Sequence, residues 1–180
     1  MSVGPTLSGP GPAESRPYVL RGRAAGIVLH RLLELWDGVS DVESLLRNVA
    51  NETGADDRAR ETVRSRVATL RRSPAFERII RGETIARELI VRFVDESGHA
   101  VERRIDRVLR ENDREVVVDY KSGAPDPDRL QRDRDQVARY CRAVQQITGR
   151  PCAGLLWYID AGSDQLVEVE QVESSSNAAV

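Results

Sequence analysis

Val101 to Lys121, reading VERRIDRVLRENDREVVVDYK, constrains the fold of this chain more than any other stretch. Two runs rich in β-branched residues flank Glu111-Asn112-Asp113, which supplies turn chemistry, so the stretch reads as a β-hairpin. An even-numbered loop centred on Asn112-Asp113 sets Asp106 directly opposite Asp119. Carboxylates opposed in this way have Cβ atoms about 5 Å apart and repel by up to roughly 1 kcal/mol, which calls for a compensating group. Side chains alternate along a strand, so Lys121 shares the face of Asp119 and hence that of Asp106. Two acids and one lysine therefore converge. The alternative is a hairpin face of solvated charges, since charged residues make up 31% of the chain.

Lys121 is the only lysine among 27 basic residues. Guanidinium is planar and permanently charged, whereas an ammonium is compact and shifts its pKa when crowded. A sole lysine beside two acids points to a site that needs a small cation or a titratable amine.

The 180 residues, 40% of them hydrophobic, suffice for one domain with a real core. The expected limits are a flexible lead-in over 1–20, where four prolines fall, an ordered domain over 21–172 and a disordered tail over 173–180. Net charge is −2, so a nucleic-acid partner must be held by a local basic surface and by metal ions rather than by overall charge. Cys141 and Cys152 lack metal-ligand spacing and read as reduced core residues. With no signal peptide and no long apolar run, a soluble cytoplasmic protein is the expectation.

Ala24 to Asp37 has a helical stripe of Ala25, Leu29, Leu32 and Trp36, with Gly38 as the stop. His30 lies at its edge with Glu34 one turn on, able to present a polar pair to whatever the helix packs against. A histidine so placed is otherwise a packing or surface residue. Further helices are expected from Asp41 to Asn51, capped by Ser40, and from Asp57 to Arg71, with Val63, Val67 and Leu70 as a seam. Ser73-Pro74 opens a short helix to about Arg81. From Arg58 to Arg81 eight arginines stand against Glu61 and Glu77, a candidate phosphate-facing surface unless it is a solvated face.

Thr84 to Asp95 has strand character, with Glu88 an acid inside it, and Glu96-Ser97-Gly98-His99 turns it into the hairpin. A long helix from Pro127 to Gly149 places Gln136 and Tyr140 on one face, able to reach one ligand or to form a polar border. Ala153 to Asp160 reads as a buried central strand and Gln165 to Val172 as the last. Phosphate-loop, dinucleotide and GxSxG signatures are absent.

Ile105-Asp106, twelve residues, then Asp119-Tyr120-Lys121, with Gln136 and Tyr140 on a following helix, resembles the PD-(D/E)XK nuclease superfamily, specifically the RecB-like nuclease domain of recombination helicase–nucleases. Gly26 to Glu34 resembles that family's N-terminal helix, whose histidine ligates a metal. The resemblance covers Arg21 to Val172 and implies an α/β fold, a mixed central sheet flanked by helices. It further implies Asp106, Asp119, His30 and the Tyr120 carbonyl as ligands of Mg²⁺ or Mn²⁺. Lys121 would orient the attacking water and stabilise charge on the phosphate, and Glu88 would hold a water at the metal. Gln136 and Tyr140 would grip the DNA backbone or buttress the site. Arg103 and Ile105 stand where the family commonly has glycine and proline, and the cysteines of its iron–sulfur branch are missing. The implied activity is that of a metal-dependent DNA nuclease, exonuclease or single-strand endonuclease, in recombination and double-strand-break repair with a helicase partner. The alternative is an inactive nuclease-fold module that binds DNA or a helicase.

Overall fold

The computed structural model describes residues 23–94, 97–159 and 165–169. The proline-rich lead-in, the C-terminal tail and the expected strand residues 170–172 lie outside them. Four helices come first, α1 (Arg23–Leu35), α2 (Val42–Thr53), α3 (Asp57–Leu70) and α4 (Pro74–Ile80). Then come β1 (Glu83–Val94), β2 (Ala100–Glu111), β3 (Arg114–Lys121), α5 (Pro127–Thr148), β4 (Cys152–Tyr158) and β5 (Gln165–Val169). The strands form one mixed sheet in the order β1-β2-β3-β4-β5. Only β3 and β4 run parallel, and α5 supplies the crossover that a parallel pair requires.

Strand alternation decides what covers each face. Val116, Val118 and Tyr120 of β3, with Leu155 and Trp157 of β4, pack among residues of α1 to α4. Val117, Leu156 and Tyr158 point the other way and meet Val137, Tyr140, Cys141 and Val144 of α5. Both cysteines are free and buried. The stripe of α1 is fully internal, with Ala25, Leu29, Leu32 and, just past its end, Trp36 at most 2% exposed.

Local signals place the helix ends with one correction. Ser73 and Pro74 open α4 as expected, the Ser73 hydroxyl accepting the Phe76 N–H. The cap of α2 is Asp41 rather than Ser40, because the Ser40 hydroxyl donates to Asp37 at 2.6 Å while Asp41 accepts the N–H groups of Glu43 and Ser44. Several side chains of the arginine-rich stretch are engaged, some in ion pairs within one helix and some in pairs between elements. Arg64 pairs with Glu43, Arg78 with Glu111 and Glu168, Arg60 with Asp57 and Arg81 with Glu77. Arg66 donates to the Ile159 carbonyl at 2.6 Å and Arg71 covers the Trp36 ring.

The hairpin has the expected register from Glu111↔Arg114 to Arg107↔Val118, with Asn112 in the left-handed conformation (φ 55°) at the turn. It stops one step short of pairing Asp106 with Asp119. Beyond Val118 the strand β3 pairs with β4 alone, through Asp119↔Leu156, Tyr120↔Trp157 and Lys121↔Tyr158. The Tyr120 N–H donates instead to the Asp106 side chain, Oδ2, at 2.7 Å. On the other side of Asp106 the ladder to β1 runs through Arg87↔Arg107 and Leu89↔Ile105, and Glu88 between them has φ 50°. Asp106 therefore lies where both ladders of β2 are interrupted, and strict alternation fails across it, since Ile105 and Val108 both pack on the α5 side.

Gly154 sets how closely α5 can approach. A Cβ there would stand 2.2 Å from Val137 Cγ1 and 3.3 Å from Cys141 Sγ. Gly154→Ala should overpack this contact and destabilise the protein by about 2 kcal/mol, read as a lowered urea midpoint. Val137→Ala in the Gly154→Ala background should recover part of the loss, and an additive loss would show that the two side chains do not compete for this space.

Candidate functional site

The fork between β2 and β3 gathers most of the singled-out residues, in two connected groups. Asp106, 6% exposed, accepts from Tyr120 N–H and lies 3.2 Å from His30 Nε2, both through Oδ2. His30 comes from α1, and its ring meets Tyr120 edge-on with centroids 5.6 Å apart. Glu34, one turn further along α1 and 2% exposed, places Oε1 3.9 Å from His30 Nδ1. Each of His30, Glu34 and Asp106 offers a ligand atom, and these atoms all lie within 4.8 Å of one another.

The register of α1 against this fork has its own device. Arg107, next to Asp106 and wholly buried, points its guanidinium at the end of α1, donating to the carbonyls of Leu33 at 2.8 Å and Trp36 at 2.6 Å and to the Thr84 hydroxyl at 2.9 Å. It satisfies terminal carbonyls that the helix leaves without partners and ties α1 to the strand carrying Asp106.

The second group faces α5. Lys121 Nζ lies 2.8 Å from Asp119 Oδ2 and 3.3 Å from Asp133 Oδ1, and donates to Gln136 Oε1 at 2.9 Å. Gln136 in turn donates from Nε2 to the Tyr140 hydroxyl at 2.7 Å. Asp133 also accepts from the Tyr158 hydroxyl at 2.8 Å. Lys121 thus sits in a cage of two carboxylates and an amide, supplied by β3 and one face of α5.

Electrostatics separates the acids. Burial, only partly offset by Lys121, pushes the Asp119 carboxyl up to about 6, with Asp106 adding to the rise. Burial works against the Lys121 ammonium as well, but Asp119 and Asp133 outweigh it and hold its pKa above the ordinary value. Burial lowers that of His30, and Asp106 together with Glu34 and Asp119 outweighs it, so the net shift is upward. Glu34 is raised by burial. Glu88 is lowered chiefly by its hydrogen bond to Arg31.

Glu88 stands apart from both groups, its Oε1 held by Arg31 at 2.6 Å and by Arg104 at 3.0 Å. The same two arginines reach Glu34 at 3.1 and 3.5 Å. Glu34 and Asp133 join the site although neither is among the residues that the sequence pattern assigns to it. The sequence signal for Glu34 is its four-residue spacing from His30. For Asp133 it is position three before Gln136, hidden in the charged run Arg132 to Asp135.

The donor set suits a divalent cation. Two carboxylates and an imidazole converge at Asp106, and the buried Asp119 carboxylate has one close cationic partner, the Lys121 ammonium at 2.8 Å from Oδ2. A carboxylate has about four lone-pair sites, so capacity for a cation remains.

The family model described as the PD-(D/E)XK nuclease superfamily matches residues 11–179. No curated protein matches. Among solved structures, the crystal structure of "Putative exonuclease" from Eubacterium rectale superposes with a TM-score of 0.57 at 13% identity, covering 83% of this chain. This chain spans 60% of that protein's length.

The raised pKa of Asp119 has a measurable consequence for stability. Between pH 4 and 6 the folded protein holds this proton while the unfolded chain, with its carboxyl near 3.8, has lost it. Stability therefore falls as pH rises through that window, and the loss is complete above about 6. A rise from 3.8 to about 6 corresponds to about 3 kcal/mol. In EDTA, Asp119→Asn should stabilise the protein by about 1–3 kcal/mol at pH 7.5, and the gain should shrink below pH 6 and vanish near 4. Urea midpoints at three pH values check this, and a gain independent of pH would rule out burial as its origin.

Proposed function

The chain belongs to the PD-(D/E)XK nuclease superfamily, and from that membership we propose that it hydrolyses phosphodiester bonds of DNA with a divalent cation, Mg²⁺ or Mn²⁺. The observation that carries this is the fork itself. A histidine, two buried acids and the only lysine of the chain meet where β2 and β3 part.

In this reading Asp106, Asp119 and His30 hold the cation, Glu34 extends the ligand set from α1, and the Tyr120 main-chain carbonyl is a further oxygen donor. Bound there, a divalent cation supplies charge neutralisation at the phosphate and a water of lowered pKa. His30 must release its proton for this, so binding and protonation compete at that ring. Lys121 acts as a cation, since Asp119 and Asp133 keep its ammonium protonated. It stabilises negative charge developing on the phosphate and orients the attacking water through its N–H bonds. Gln136 and Asp133 position that ammonium, and Tyr140 positions Gln136. Glu88, held by two arginines, keeps them close to Glu34 and so shapes the acidic wall.

The order His30, Asp106, Asp119-Tyr120-Lys121, Gln136, Tyr140 supports the finer reading of a RecB-like enzyme. Such an enzyme would work in recombination and double-strand-break repair on strands unwound by a helicase. Among the described residues no helix is long and apolar enough to cross a membrane.

The test is cleavage of end-labelled single- and double-stranded DNA with Mg²⁺ or Mn²⁺. EDTA should abolish cutting, and Lys121→Ala and Asp119→Asn should each lower the rate by about a hundredfold or more. Asp133→Asn should lower kcat with little change in KM, as expected of a positioning group. Cutting that survives Lys121→Ala and Asp119→Asn would place the chemistry elsewhere.

A further inference from the structure

Next to the Lys121 cage lies a cleft of about 270 Å³ between the outer part of the β1–β2 ladder and α5. We propose that it binds one unpaired nucleotide of a DNA strand, the neighbour of the phosphate held at Lys121. The proposal rests on the nuclease reading.

One wall is apolar. Phe93 of β1 and Val101 of β2 are cross-strand partners, and Arg103 follows Val101 on the same side of its strand. The opposite wall is α5, with Gln136, Arg139 and Tyr140 within little more than one turn. Arg103 donates only to the Glu102 carbonyl, at 2.8 Å, and among the described residues neither it nor Arg139 has an acid partner. No carboxylate occurs among the described lining residues. Two arginines without a described acid partner across one cleft supply positive charge to it.

Aromatic and aliphatic surface for a base, with cations for its phosphates, are the elements that grip single strands. Gln136 joins cleft to cage, since it lines the former and accepts from Lys121 Nζ in the latter. A base in a duplex would first have to be unstacked and unpaired to enter. The cleft therefore selects a single strand and sets how the chain is threaded past Lys121.

The experiment uses the full chain in Ca²⁺, with binding of a labelled oligothymidylate and of a blunt duplex read by fluorescence anisotropy. Phe93→Ala and Arg139→Gln should each weaken oligothymidylate binding by about tenfold while changing duplex binding by less than about twofold. Circular dichroism confirms that both variants fold. Oligothymidylate binding equal to the wild type in both variants, or an equal loss for duplex, overturns the proposal. Hydrolysis of bis(p-nitrophenyl) phosphate, which needs only the Lys121 centre, reads the nuclease proposal separately. Both variants should retain it, and its absence in the wild type would count against that reading while the binding comparison still decides the cleft.

Discussion

Burying Asp106 and Asp119 at one fork of the sheet is the constraint on which the rest of this structure depends. An ionised carboxylate removed from water must be paired and hydrogen-bonded or it takes up a proton. The fold treats the two acids differently. Asp106 receives a backbone N–H and an imidazole, which is possible only because the strands part at that residue. Asp119 receives a single ammonium, which offsets only part of its burial, so its carboxyl is pushed up to about 6. That residual cost is what a bound cation would relieve.

The site is built from both faces of the sheet. His30 and Glu34 reach it from the α1 side, and Asp133, Gln136 and Tyr140 from the α5 side. Two devices hold these helices to their strands. Arg107 fastens the end of α1 to β2 through main-chain carbonyls, and Gly154 lets α5 lie directly on β4. Neither side chain lines the fork, yet each fixes how a helix carrying residues of the site lies against its strand.

Much of the fold was legible in local patterns because the physical causes are local. The apolar stripe of α1, the Ser73-Pro74 cap, the Asn112-Asp113 turn and the unbroken apolar run of β4 each follow from residues within a few positions of one another. The hairpin register was legible too, since a two-residue loop leaves only one way to pair the flanking strands. Its end was not, because the ladder stops where a side chain, Asp106, takes over a backbone donor, and nothing in the pattern marks that exchange. Glu34 and Asp133 were missed for a related reason. Their importance depends on what a helix packs against, and a carboxylate in a chain rich in charge carries no mark of being buried.

The sequence by itself determined the elements, their order, the hairpin pairing and the presence of one lysine beside two acids, all consequences of short-range chemistry and spacing. Tertiary structure alone decided that Lys121 is caged by Asp119, Asp133 and Gln136 and remains a cation, that Asp106 turns toward His30, and that Arg66 of α3 is buried against the Ile159 carbonyl. These outcomes depend on burial and on distances between residues far apart in the chain. Desolvation and Coulomb attraction act through space, so the groups that compensate one another are known only once the sheet has brought them together.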